Sequence, residues 1–583
     1  MLRSSRRVRS AGFTLAALAF LSALAMNAGA QPNPIIFDGN LIWNNGPGGT
    51  TQWLGGISPA GVCNPGFDDS TKFIATVQYP NNSVADPLLS GAISNTTNPN
   101  WRPAAGSPAF CGNAGHGKVV QTPADGFFTR VPWVGAMGPT EQDWTAGWTY
   151  YSLDGAGRTD LQPLRPLVIL VNQNLYSNRA FSADSNYLVR GQLRVKSQAT
   201  LTIPAGVVIF EETSTAGTII IERGAKIQAV GTVTSPIIIT SDQAPGSQAP
   251  GGGGGIFIHG RARVNAANSC AGDSAASEGG AVGFYGGNDD TDNSGTLRYV
   301  RVEFAGVLVT ANNEANSITL NGVGSGTTLD HLQAHRGLDD LFEFFGGTAQ
   351  AKYLVGTYGD DDGFDWQMGY RGKAQFVAIR QLAIQTGAER GIEADNNEFS
   401  NDTEICSGRS NPTLSNFTLI GDRRSGAGFA GVKSGIVLRR GTGGTILNSI
   451  ITEWKTSALD IQTAATFTNH CTDRAFAVAP GIFCSAGTTG VPELEGRVFV
   501  AQGFPNPFRK NVAIRFALAR AGDVAVDIYS ASGRHVRRLA SGPFAAGEHT
   551  INWNTERSLP SGVYFYKVRA AGEESTGKLI RVE

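Results

Sequence analysis

A chain of 583 residues, 41% of them hydrophobic, can bury a sizeable core, and its length allows roughly two to four domains. Charged residues are only 16%, and 47 basic against 48 acidic side chains leave a formal net charge of −1. No basic excess is present to recruit nucleic acid or an anionic membrane, and neither is expected as a partner. Glycine is abundant at 75 residues; beside so much apolar sequence it points to many turns between short strands, not to disorder.

Residues 1–30 read as a cleavable signal peptide. Arg3, Arg6, Arg7 and Arg9 form a positive start, an apolar stretch runs from Ala11 to Met26, and Ala28-Gly29-Ala30 supplies the small-x-small cleavage pattern. The stretch is short for a transmembrane anchor, carries Thr14 and Ser22, and lacks a second basic stop. Nothing later in the sequence is long and apolar enough to span a bilayer. Six cysteines, Cys63, Cys111, Cys270, Cys406, Cys471 and Cys484, all fall in the mature part, and none lies in a C-x-x-C pair. That usage speaks for disulfides in an exported protein rather than for zinc or redox chemistry. Proximity favours Cys63–Cys111 and Cys471–Cys484, which leaves Cys270 with Cys406.

Residues 31–166 are rich in tryptophan and short polar loops, with Trp133, Trp144 and Trp148 prominent. They are expected to form an irregular, β-rich cap over the open edge of the first coil of a solenoid beginning near residue 167. Trp144 and Trp148 fit buried packing better than a carbohydrate-stacking surface, though both readings stay open.

From Leu167 the grammar is that of strands. Tyr187 to Phe210 and Gly217 to Thr232 alternate apolar and polar residues in bursts of a few residues, each ended by glycine, proline or serine. A repeat then appears: Asp339-Asp340-Leu341-Phe342-Glu343 recurs as Asp361-Asp362-Gly363-Phe364-Asp365, 22 residues on. Stepping back by 22 sets Leu320-Asn321 against Phe342-Glu343, and stepping forward by 28 sets Ile392-Glu393 against Phe364-Asp365. A period in the low twenties that keeps one apolar and one polar residue in register is the requirement of a parallel β-helix. Phe342, Phe364 and Ile392 should stack inside, and Asn321, Glu343, Asp365 and Glu393 should form a column on the opposite face. Gly251 to Gly255 reads as a flexible loop, since no Lys-Ser/Thr comes after it to make a phosphate cradle.

The stretch from about Leu167 to Thr463 resembles the pectate-lyase-like right-handed parallel β-helix superfamily, and more closely a group of exported bacterial β-helix proteins. The matching signatures are the run from Gly286 to Gly306, Asn321-Gly-Val-Gly-Ser-Gly-Thr-Thr328, Glu343-Phe-Phe-Gly-Gly347 and Leu438-Arg-Arg-Gly-Thr-Gly-Gly444. The resemblance implies the fold and brings no established activity.

After Val491 alternating strands return at Val512 to Leu518, Val524 to Tyr529, Thr550 to Asn554 and Val563 to Val568, with turns at Ser532-Gly533 and Pro560-Ser-Gly562. This spacing indicates an Ig-like sandwich. Pro505-Asn-Pro-Phe508, Leu559-Pro-Ser-Gly-Val-Tyr-Phe-Tyr-Lys-Val568 and the closing Lys578-Leu-Ile-Arg-Val582 are similar to the C-terminal sorting domains of type IX secretion cargo, and also to the Ig-like domain of the flagellar hook-capping protein. The first resemblance implies a partner in the type IX machinery and a secreted or outer-membrane surface location. The expected architecture is therefore all-β: signal peptide 1–30, cap region 31–166, right-handed parallel β-helix (a solenoid) 167–490 and Ig-like sorting domain 491–583, as a monomer.

Chemistry is expected on the acidic column. Coils stacked about 4.8 Å apart hold the carboxylates of Glu343, Asp365 and Glu393 close enough to repel, which raises a pKa or calls in a cation. Asp339, Asp340, Asp360, Asp361, Asp362 and Asp395 lie beside them in sequence, with Arg390, Arg439 and His335 as basic neighbours. Three readings stay open: a solvated or arginine-paired acidic face; a Ca²⁺ site, with Asp361, Asp362 and the separate run Asp289, Asp290, Asp292 as ligands; and catalysis on a polysaccharide by Glu343, Asp365, Glu393 and Arg439. The expected function is a secreted or surface β-helix that binds extracellular polysaccharide in an acidic groove, with processing of that polysaccharide left open and a non-catalytic adhesin or envelope structural protein as the alternative.

Overall fold

The computed structural model of the chain describes residues 35–45, 81–161, 165–265, 274–397, 408–462, 482–485 and 499–582, short stretches inside these spans excepted. The signal peptide and Cys63, Cys270, Cys406 and Cys471 lie outside the described residues; Cys111 is disulfide-bonded. The chain divides into two compact units, Met1–Ile482 and Phe483–Glu583.

The first unit is a right-handed parallel β-helix. Ten strands stack in one sheet whose spatial order is chain order: Asn174–Leu175, Gln192–Val195, Thr218–Ile221, Ile256–His259, Ile318–Asn321, Phe342–Phe345, Phe364–Gln367, Ile392–Asp395, Ser434–Arg439 and Ser457–Ile461. The other walls of the coils form a 17-stranded sheet, also paired in parallel. Alternation decides what enters the core: Phe342, Phe364 and Ile392 point inward with no exposed surface, and Phe344 stacks on Phe364 at 4.7 Å. Glu343 pairs with Asp365 and Asp365 with Glu393, so the acidic column exists as read from the 22- and 28-residue offsets.

One register differs from the sequence reading. Thr319, not Asn321, lies under Glu343, and Asn321 lies under Phe345. That coil, from Thr319 to Glu343, is 24 residues long where the next is 22. The turns between strands absorb the two extra residues, and a fixed step therefore misplaces the partner by two. The Gly251–Gly255 segment also differs from expectation. A Cβ on Gly253 would sit 2.3 Å from Glu211 Oε2, and one on Gly254 1.9 Å from Thr218 Oγ1, while the Gly255 N–H donates to Glu211 Oε2 at 2.9 Å. These glycines let the backbone close over a buried carboxyl; they are packed, not loose.

The N-terminal region also lies elsewhere than expected. Strand Ile35–Asp38 pairs with Gly444–Leu447, and Leu41–Trp43 with Ile450–Thr452, so this segment closes the last coils of the solenoid and not the first. The first strand of the solenoid, Leu167–Val171, pairs with Asn186–Arg190 and leaves Leu167, Ile169 and Val171 about half exposed. From Lys118 to Gly138 and again from Asp143 to Asp160 the chain then runs back along the 17-stranded sheet as a strap. Buried side-chain amides of the sheet hold it, each bonding both the N–H and the C=O of one strap residue: Asn448 with Val120 (2.9 and 2.9 Å), Gln375 with Thr129 (2.8 and 2.6 Å) and Gln333 with Tyr150 (2.8 and 2.6 Å). At its end Arg158 pairs with Glu303 at 2.8 Å, both side chains fully buried. Within the strap, Trp148 is fully buried, which is the packing role; Trp144 keeps a partly open face.

The second unit is a sandwich of two antiparallel sheets. Phe499–Phe504, Asn511–Leu518 and Gly547–Asn554 form one; His535–Phe544, Gly522–Ser530, Gly562–Ala570 and Glu573–Arg581 form the other. Ile514, Phe516 and Trp553 from the first sheet meet Val526, Ile528 and Val568 from the second in one core.

Candidate acidic site on the ten-stranded sheet

Three consecutive strands, Phe342–Phe345, Phe364–Gln367 and Ile392–Asp395, each send their second residue outward. Parallel register lines up Glu343, Asp365 and Glu393 along the solenoid axis. The turns before the first two strands add more acid: Asp340 before the first, Asp361 and Asp362 before the second. The Asp362 N–H donates to Asp340 Oδ1 at 2.9 Å, which joins the two turns. One carboxylate oxygen from each of Asp340, Glu343 and Asp365 lies within 4.8 Å of the others, and the same holds for Asp339, Asp340 and Asp361. Asp340 belongs to both groups.

Cations hold one end of the column. Arg390 contacts Glu393 at 2.6 Å and Asp362 at 3.5 Å. Arg439, in register with Asp395, meets that residue at 2.8 Å and also pairs with Glu393, while Arg440 pairs with Asp395 as well. The opposite end has neutral partners: Asn316 and Gln367 both donate to Glu343, Gln367 at 3.1 Å. Between the ends, Asp365 Oδ1 and Gln367 Oε1 are buried with no hydrogen-bond partner.

Burial and like charge act together on these groups. Burial, then the neighbouring carboxylates, push Asp340 and Asp365 well above the usual carboxylate range. Burial, then Asp361, raises Asp362 to about 8, and burial, then Asp362, raises Glu393 to about 8 in spite of its arginines. Burial opposes the charge of Arg439, but Asp395 and Glu393 overcome it and hold the guanidinium charged. The result is a cluster of carboxyls whose charge is disfavoured, with Asp362 and Glu393 still holding protons at neutral pH. Perturbed carboxyls gathered in this way are a mark of functional sites. The donor set is all oxygen, and a buried carboxylate oxygen without a partner sits in its middle, which fits a hard cation such as calcium.

The sequence-derived candidates divide accordingly. Glu343, Asp365, Glu393 and Arg439 come together, and Asp361 and Asp362 join them. Asp289, Asp290 and Asp292 do not. Asp289 accepts from the Thr291 N–H and hydroxyl at 3.0 and 2.7 Å, Asp290 from the Arg263 N–H at 3.1 Å, and Asp292 from the Arg261 N–H at 3.1 Å. Backbone donors in a turn use these carboxylates, and among the described residues they are not one of the converging acidic groups. His335 is also elsewhere, buried on the other sheet, with Nε2 donating to the Ser152 carbonyl at 2.7 Å. Asn316, Gln367 and Arg440 were not singled out from the sequence. Gln367 was within reach of it, two residues beyond Asp365 and so on the same face of the strand.

Residues 174–489, more than half of the chain, match the family described as pectate-lyase like beta helix domain, and residues 502–583 match the secretion system C-terminal sorting domain. No curated protein matches the chain. Among solved structures, the enzymatically active domain of tailspike protein 2 from bacteriophage CBA120 is similar over 68% of this chain and 72% of its own, at 8% identity and a TM-score of 0.26. The chain thus belongs to the pectate-lyase-like β-helix family and ends in a type IX secretion sorting domain, which makes it a secreted or outer-membrane surface-attached protein.

Proposed function

We propose that this surface β-helix binds an extracellular polysaccharide at the acidic column, with a calcium-type cation held by Asp340, Glu343 and Asp365. The observation that carries the reading is the buried, unpartnered Asp365 Oδ1 among converging oxygens. A polar atom left this way costs free energy that a ligand recovers on binding. A bound cation would supply positive charge to orient a substrate's acidic or hydroxyl oxygens. Arg390 and Arg439 would orient the Glu393 carboxyl beside that cation. A glycan-array screen, paired with reducing-end and unsaturated-product assays on the wild type and Asp365→Asn, tests this. Turnover lost in the variant with binding kept establishes catalysis; binding without turnover establishes a lectin-like role; neither on any glycan removes the proposal.

A second reading has its own support. Glu343, Asp365 and Glu393 are 3%, 7% and 8% exposed, so the column is largely closed to solvent. A ladder that needs only satisfied charges serves a non-catalytic adhesin or envelope structural protein equally well.

A further inference from the structure

The 17-stranded sheet carries a second candidate site that is independent of the acidic column. Four consecutive strands bend at residues with left-handed backbones: Tyr299, His331, Tyr353 and Phe376, with φ of 50, 55, 60 and 60°. Their rings stack in order along the solenoid at 4.4, 4.5 and 5.2 Å. Above this ladder, between it and the strap residues Thr129, Trp133 and Trp144, lies a cleft of about 400 Å³, at the small end of the range for small-molecule sites. Trp144 stands steeply against the ladder, 86° to His331 and 65° to Tyr353, and Trp133 and Phe376 complete the aromatic walls.

Polar groups sit among these rings. Trp133 is 8% exposed, and its indole Nε1–H has no hydrogen-bond partner. Asp330 holds the His331 ring and lies 3.4 Å from Arg298, which is exposed at the rim. A purely apolar ligand would leave the Trp133 donor unsatisfied. An anion would meet Asp330, and a cation would meet Arg298. A neutral ring with an apolar face and hydroxyls that both donate and accept satisfies every group present. We infer that this cleft binds a neutral pyranose unit of a glycan, with Trp133 donating to a hydroxyl or ring oxygen and Asp330 accepting from a hydroxyl.

The ligand class rests on the proposed polysaccharide function; the cleft rests on its own residues. The test titrates the mature protein with cellohexaose, mannohexaose and chitohexaose, following indole fluorescence and the heat of binding. Wild type, Trp133→Phe, Arg298→Ala and the distant control Tyr176→Ser are compared after thermal melts confirm folding. Binding of a neutral hexasaccharide, weakened on the order of tenfold by Trp133→Phe and measurably by Arg298→Ala but not by Tyr176→Ser, supports the site. If Trp133→Phe fails to fold, Arg298→Ala, a rim substitution, decides alone. Binding indifferent to the cleft variants overturns the inference. If that binding instead needs Asp365 and calcium, the acidic-column reading stands without this one. Absence of any glycan binding overturns both.

Discussion

Raising the pH from 6 to 8 in the absence of divalent cations should destabilise the β-helix. Asp362 and Glu393 keep their protons up to about 8, because burial and then neighbouring carboxylates disfavour their charge. In the unfolded chain both groups ionise near roughly 4. Between those limits the folded chain holds protons that the unfolded chain has released, so stability falls as pH rises, by about 1.4 kcal/mol per pH unit per group. The favourable contribution is complete below about pH 4 and is lost through about pH 8. For two groups over two units the loss is on the order of 5 kcal/mol, less where neighbours share protons. Set against a typical stability of about 5–15 kcal/mol, that is easily measured. Urea unfolding of the mature protein in EDTA, followed by near-ultraviolet circular dichroism at several pH values, gives the slope directly. Calcium should flatten it, since a cation among Asp340, Glu343 and Asp365 replaces protons and stabilises the fold by linkage. Stability that stays flat or rises from pH 6 to 8 in EDTA would refute the claim that these carboxyls are buried in protonated form.

The strap end should show the opposite sign at low pH: Asp160, lowered to about 2 by Arg301 and Arg158 against the opposing effect of its burial, contributes stability above about pH 4 that is lost as pH falls toward 2, visible in the acid limb of the same titration. Arg439→Met removes a cation shared by Glu393 and Asp395 and should cost about 3–5 kcal/mol at pH 8, read as a drop in urea midpoint, with a smaller loss at pH 5 where Glu393 is protonated. Gln375→Leu strands both polar groups of Thr129 and should cost about 1–3 kcal/mol, with faster proteolysis of the strap near residue 129. Deleting residues 500–583 should leave the β-helix folded but retained in the periplasm; normal display of the truncated protein at the surface would deny the sorting module its role.

Much of the solenoid was legible because its code is local. A two-residue alternation in each short strand fixes which side chains enter the core, and the Asp-Asp-x-Phe-acid repeat marks successive coils. Phe342, Phe364 and Ile392 fall where that code puts them. The acidic column was legible for the same reason, since Glu343, Asp365 and Glu393 each come directly after an inward apolar residue. What failed was counting across turns. Turn length is set by loops that bury little and tolerate insertion, so the step from Thr319 to Glu343 carries no signature. The Asp289–Asp292 run shows a second limit, because acid-rich turns serve backbone N–H groups as readily as metals and composition does not separate the two uses.

The strap and the closing strands were illegible for a deeper reason. Their partners lie far away in sequence: Thr129 is held by Gln375, Val120 by Asn448 and Ile35 by Gly444. A glutamine that zips a distant backbone looks like any other glutamine. The aromatic ladder is similarly hidden, because a left-handed tyrosine or phenylalanine is strained in isolation and is tolerated only where the sheet on either side imposes the bend. Long-range closure also orders assembly. Strands Ile35–Asp38 and Leu41–Trp43 cannot pair until the coils ending at Leu447 and Thr452 exist. Local coil stacking needs little loop closure and proceeds early; joining the chain's beginning to its last coils comes late. The segment that blocks the solenoid's far edge is thus added after the coils it protects, when an open parallel edge would otherwise offer a template to another chain.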